Sequence, residues 1–171
     1  MYDHSVMVMD ISRDISNALD IEIDEDVLFI SALLHDIGKT YLSDSQEFLT
    51  KNHESLNVVV SQEFIDSLNL SIAQKDLIKD IISGKNQSQE SQIIRDADAL
   101  AMYKDERLQM LYIKRACSND LYTEITRKVD KFFKVNLGVS TNIWNIWYHK
   151  FLENWWQYLK QIGYKHEKFD I

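Results

Sequence analysis

The strongest constraint on what this chain can fold into is its punctuation. None of its 171 residues is proline, and the four glycines, Gly38, Gly84, Gly138 and Gly163, each follow an apolar periodic run. Glycine enters the left-handed conformation that closes helices without a steric penalty, so all four are expected to mark helix ends. Strict alternation of apolar and polar residues, the period of a strand, is confined to the short run Ile21–Ile23. The pattern predicts an all-α protein of about seven or eight helices in a single domain.

Taken in order, Tyr2–Leu19 is expected to form the first helix, with Val8, Ile11, Ile15 and Leu19 as its buried stripe. His4 lies one turn before Val8 and projects from that same stripe. Asp20–Asp24 is a linker in which Asp24 can cap the second helix, Val27–His35, with Glu25 and Asp26 at its positive end. That helix is apolar almost all round and is expected to be central, with Gly38 ending it. Thr40–Thr50 reads as a polar loop. Asn52–Leu68 is a third helix with Leu56, Val59, Val60 and Phe64 inward and His53 in its first turn. Ser71 caps a fourth, with Ile72, Leu77, Ile78, Ile81 and Ile82 inward. Gly84–Ser88 is a loop, and Ser88 can cap the helix that carries Ile93–Tyr103, although Ser91 stands where a capping box would want Glu or Gln. Arg107–Cys117 and Leu121–Val135 read as amphipathic helices. Thr141–Ile162 closes the chain with Trp144, Trp147, Phe151 and Trp155 on one stripe, a core seam wide enough to allow a homodimer contact. Lys165–Ile171 reads as a loosely held tail. Residues 1–104 are expected to form the core, with 105–171 packed on it in the same domain.

Composition narrows the function classes. A formal net charge of -8 argues against general nucleic-acid binding, which needs a basic surface to replace counterions. It leaves room for a phosphorylated small molecule, because a bound cation and a few lysines can reverse the sign within a pocket. No stretch approaches the length of a membrane span, and the start, Met-Tyr-Asp-His, is no secretory signal. A single cysteine, Cys117, allows no internal disulfide, which makes the cytoplasm the expected location. No nucleophile pattern surrounds it, and no glycine-rich phosphate loop exists.

The chemistry-bearing residues centre on Ser31–Lys39, Ser-Ala-Leu-Leu-His-Asp-Ile-Gly-Lys. An aspartate ending a nearly all-apolar central helix costs several kcal/mol if buried alone, so Asp36 must be paired, capped or metal-bound. A salt bridge from Asp36 to Lys39 would satisfy it structurally. Together with His4, His35 and the pair Asp96 and Asp98, however, it offers two imidazoles and two carboxylates to one cation. That donor set suits Mn, Fe, Co, Ni, Zn or Mg. Asp96 and Asp98 stand two apart and cannot share a helix face, so only one of them can turn with Ile94 and Ala101 into the core. Lys51, Lys85, Arg95, Arg107, Lys114, Arg115 and Arg127 could contact phosphate, though scattered bases on helices are usually solvated.

The string Ala-Leu-Leu-His35-Asp36-Ile-Gly38-Lys39, with His4 before it and His53 and Ile94-Arg-Asp96-Ala-Asp98-Ala-Leu100 after it, resembles the HD-domain superfamily of metal-dependent phosphohydrolases over about Tyr2–Tyr103. The resemblance implies an HD-type helical bundle and one divalent metal held by His4, His35, Asp36 and Asp98, with Asp96 in a supporting place. Members with two metals carry a further histidine that would fall near Ser83–Lys85, where this chain has none, which favours one metal. The implied reaction is hydrolysis of a nucleotide or other small phosphate ester or anhydride by metal-activated water. Asp36 is the expected proton acceptor, Lys39 the phosphate holder, and His53 a substrate contact, proton donor or water-orienting group. Two alternatives are a non-haem di-iron oxygenase of the same superfamily and a non-catalytic regulatory domain. His4 stands three residues from Met1, so either packing or metal holds its turn, or the natural chain begins further upstream.

Overall fold

The computed structural model describes residues 2–19, 21–42 and 53–104. The expected helices from Arg107 onward, the tryptophan stripe, Cys117 and most of the Thr40–Thr50 loop lie outside these residues. The chain divides into two compact units, Met1–Asp98 and Ala99–Ile171. Every residue of the candidate site lies in the first.

The chain is all-α. Its described helices are α1 (Tyr2–Ala18), α2 (Glu25–Leu34), α3 (Glu54–Ser67), α4 (Ile72–Ile82) and α5 (Gln89–Lys104), with a 3-10 helix at Ile37–Tyr41. Ile21–Ile23 forms no strand, and there is none among the described residues. On α1 the stripe Val8, Ile11 and Ile15 is fully buried and packs against α2. The expected cap of α2 is present: Asp24 is extended, and its carboxylate accepts a hydrogen bond from the Val27 N–H at 3.1 Å. Glu25 and Asp26 occupy the positive end of the helix.

Helices α2 and α4 run side by side in the same direction. At their amino ends Gln74 Nε2 donates to Asp24 Oδ2 at 2.9 Å, which ties the caps together. Ser71 and Gln74 close a full capping box on α4, each satisfying a backbone N–H that the first turn leaves unpaired. At their carboxyl ends Asn57 donates to the carbonyls of both His35 and Ile82.

Two expectations about packing are corrected. The buried stripe of α3 is Asn57, Ser61 and Ile65, whereas Val59 and Phe64 are 71% and 52% exposed. Two polar side chains lie inward because each has a partner: Asn57 bonds three backbone groups, and the Ser61 hydroxyl donates to the Asn57 carbonyl at 2.6 Å. Ile72, at the first position of α4, is 79% exposed because Gln74, two residues on and so on the opposite side of the turn, is the side chain that faces the α2 cap at Asp24.

A further correction concerns glycine. Gly84 has φ 74°, the left-handed residue expected after a helix. Gly38 instead sits within the 3-10 helix, four residues beyond the end of α2. Its need for glycine is spatial: a Cβ there would stand 2.6 Å from the His53 carbonyl, 2.8 Å from Leu56 Cβ and 2.9 Å from the Asn57 nitrogen. The turn after Asp36 is therefore pressed against the first turn of α3.

The corrected face of α3 is testable by chemical denaturation. Ile65→Ala should cost about 2–5 kcal/mol of stability, the usual range for emptying a core site. Phe64→Ala should stay within about 0.5 kcal/mol, as for an exposed position.

Candidate metal centre

The site is assembled from four helices. His4 comes from the first turn of α1, His35 and Asp36 from the exit of α2, His53 from the entry to α3, and Asp98 from the middle of α5. Lys39 follows in the 3-10 helix. The α2 register brings the doublet there: Val27, Leu28, Ser31 and Ala32 are buried, and His35 continues the stripe four residues after Ser31.

Four donor atoms converge. His4 Nε2 lies 3.2 Å from Asp98 Oδ1 and 3.9 Å from Asp36 Oδ2. His35 Nε2 lies 3.6 Å from Asp36 Oδ2 and 3.8 Å from Asp98 Oδ1. Two ligands each about 2.1 Å from one ion stand about 3.0 to 4.2 Å apart, depending on their angle. All four separations fall in that range, and His4, His35 and Asp36 form a group that could hold a metal ion.

The protonation pattern of His35 fits the same role. Its Nδ1 faces the Ala32 carbonyl at 2.7 Å, so Nδ1 carries the hydrogen and donates it. That leaves the Nε2 lone pair directed at the two carboxylates, and Nε2 is buried with no hydrogen-bond partner. An imidazole fixed through one nitrogen by a backbone carbonyl, with the other bare, is the usual arrangement of a metal-binding histidine. Burial works against a charge on His35, but the carboxylates of Asp98 and Asp36 outweigh it and raise its pKa above the ordinary value. A cation would compete with that proton for the same lone pair.

Asp36 is 6% exposed and is held from both sides. His53 Nε2 is 2.9 Å from Oδ1, and the Lys39 ammonium bonds Oδ2. Burial opposes its ionisation, but the hydrogen bond from His53 and the charges of His35 and Lys39 prevail over it and over the opposing charge of Asp98. The carboxyl is kept well below the usual carboxylate range.

Among the remaining sequence candidates, Asp96 is buried on a different face of α5, and Asp98 is the aspartate that meets the imidazoles. Arg95 binds the Asn86 carbonyl, Gln87 Oε1 and Ser91, fastening the loop before α5. Lys85 is exposed on that loop. Lys51, Arg107, Lys114, Arg115 and Arg127 lie outside the described residues. Sequence reasoning missed Asn57. The available signal was an asparagine one turn after His53, inside a helix, where its amide competes with the backbone and is disfavoured unless it has work to do.

The shift at Asp36 has a definite sign. A carboxyl whose folded pKa is depressed contributes stability above its unfolded pKa and loses it as pH falls through the folded value. Urea midpoints of the metal-free chain should therefore fall more steeply between about pH 4 and pH 2 than those of Asp36→Asn.

A family model described as HD domain matches residues 1–103 of the chain. No curated protein and no solved structure matches it.

Proposed function

The chain belongs to the HD-domain family, and from that premise we propose that it is a metal-dependent phosphohydrolase acting on a nucleotide or another small phosphate ester or anhydride. The family is generally one of metal-dependent phosphohydrolases, and its domains bind divalent metals. The observation that carries the reading is the convergence of His4, His35, Asp36 and Asp98, with the bare His35 Nε2 among them. In the proposal these four side chains hold one divalent ion, chosen from Mn, Fe, Co, Ni, Zn and Mg by the mixed nitrogen and oxygen donors. The ion, when bound, would lower the pKa of a water and polarise a phosphoryl oxygen.

The chain's own groups supply the rest. In the proposal Asp36 holds the cation and, as the carboxylate beside it, is the proton acceptor for the attacking water. Lys39 and His53 lie against its two oxygens, and in the proposal each would contact the phosphoryl group. The Lys39 ammonium would offset phosphate charge, and His53 would orient the substrate or protonate its leaving oxygen. The absence of histidine at 83–85 favours this over a di-iron oxygenase. The family match ends at residue 103, near the end of α5, and a homodimer contact through the part beyond it is proposed from its tryptophan-rich sequence alone. A single cysteine is consistent with a cytoplasmic location, and no described helix is long and apolar enough to cross a membrane.

The purified chain, loaded in turn with Mn, Co, Ni and Mg, should release phosphate from at least one member of a panel of nucleotides and small phosphate esters. His35→Ala and Asp36→Ala should reduce that turnover by more than about 100-fold, beyond the range typical of changes in outer-sphere groups. Unchanged turnover in both variants would contradict the assignment.

A further inference from the structure

Asn57 is fully buried in the interior of α3, and both of its amide hydrogens and its oxygen are engaged. Oδ1 accepts from the Gly38 N–H at 2.7 Å, and Nδ2 donates to the Ile82 carbonyl at 2.9 Å and to the His35 carbonyl. The last carbonyls of a helix have no partner within it. His35 closes α2 and Ile82 ends α4, so one side chain satisfies an orphan acceptor from each helix. The same side chain also takes an N–H from the turn that follows Asp36.

We propose that Asn57 is a positioning residue of the metal centre, which sets His35 and Asp36 in register with His53; this rests on the metal-centre reading above. The bonds bracket Asp36. The His35 carbonyl belongs to the peptide joining His35 to Asp36, and the Gly38 N–H lies two residues beyond. A free rotation of that peptide would swing the imidazole and the carboxylate away from each other. On α3, His53 precedes Asn57 by one turn, and the His53 carbonyl accepts the helical hydrogen bond of the Asn57 N–H at 3.0 Å. The residue that grips the doublet is thus bonded directly to the residue whose imidazole meets Asp36. Glycine at position 38 completes the clamp, since any larger residue would hold the turn off Asn57.

A purely structural amide and a positioning amide differ in what their loss changes. The former lowers stability alone, whereas the latter weakens the cation out of proportion to stability. The test uses the full chain and three variants, Asn57→Ala, Asn57→Ser and Ile65→Ala. Ile65 lies two turns further along the same buried stripe and serves as the matched destabilised control. Mn2+ affinity is read by calorimetry, and amide exchange at Gly38 is read by NMR on the metal-free chain.

Asn57→Ala should weaken Mn2+ by about 10–100-fold, as loss of an outer-sphere support does. Its Gly38 amide should exchange at least about ten-fold faster while the α1 interior keeps its protection. Asn57→Ser, the smaller change, should move both readouts in the same direction. Ile65→Ala should lower Tm yet leave Mn2+ affinity within about two-fold, as expected for a site with no shared partner. Wild-type Mn2+ affinity in Asn57→Ala, equal weakening in Ile65→Ala, or failure of both Asn57 variants to fold would overturn the proposal. Unchanged Gly38 exchange in Asn57→Ala would refute the clamp whatever the metal does. A wild-type chain that takes up no Mn2+ would refute the metal centre itself.

Discussion

A carboxylate buried at the end of an apolar helix has to be compensated, and the described part of this protein is arranged around meeting that demand at Asp36. Removing a charge from water costs several kcal/mol unless opposite charge and hydrogen bonds replace the solvent. Here the replacement comes from three directions: Lys39 from the following turn, His53 from α3, and His35 with His4 across the remaining side. Asp98 enters the same cluster and sets a second carboxylate beside the two imidazoles. The convergence of two carboxylate oxygens and two imidazole nitrogens at one point is what suits the cluster to a divalent cation as well as to an internal salt bridge.

Such a cluster works only if its members are held still, and the backbone scaffold does this with few parts. Helices α2 and α4 are fastened at one end by Asp24 and Gln74 and at the other by Asn57. The doublet leaves α2 at the fastened end, where the turn through Gly38 is pressed onto α3 with no room for a side chain. The residues that touch the proposed cation are therefore positioned by groups that do not. Outer supports of this kind commonly decide whether a metal site is merely present or correctly shaped.

Much of the site was legible in the sequence, and the reason is periodicity. His4 four residues before Val8, and His35 four after Ser31, are carried inward by helical stripes whose other members are buried. The separation of Asp96 from Asp98 was equally local, since residues two apart on a helix diverge. What escaped was the face of α3. Its strongest apolar pattern, with Val59 and Phe64, points to water, and the inward face is headed by Asn57 and Ser61, whose burial is justified by hydrogen-bond partners. Hydrophobic pattern cannot reveal a buried polar stripe, because hydrogen-bond satisfaction depends on the tertiary neighbours. The contact of His53 with Asp36 escaped for a similar reason: no spacing rule joins residues across the 43–52 stretch. Gly38 was recognised as special, but for backbone freedom rather than for the close approach that requires it.

The proposed metal centre would hold one cation per chain through the two imidazoles and two carboxylates. Elemental analysis of the purified protein, after equilibration with a divalent metal and removal of excess, measures this directly. The expected result is about one equivalent bound to the native chain and close to none bound to a His4→Ala, Asp98→Ala double variant. No retained metal in the native chain, two equivalents, or one equivalent that survives in the double variant would contradict it.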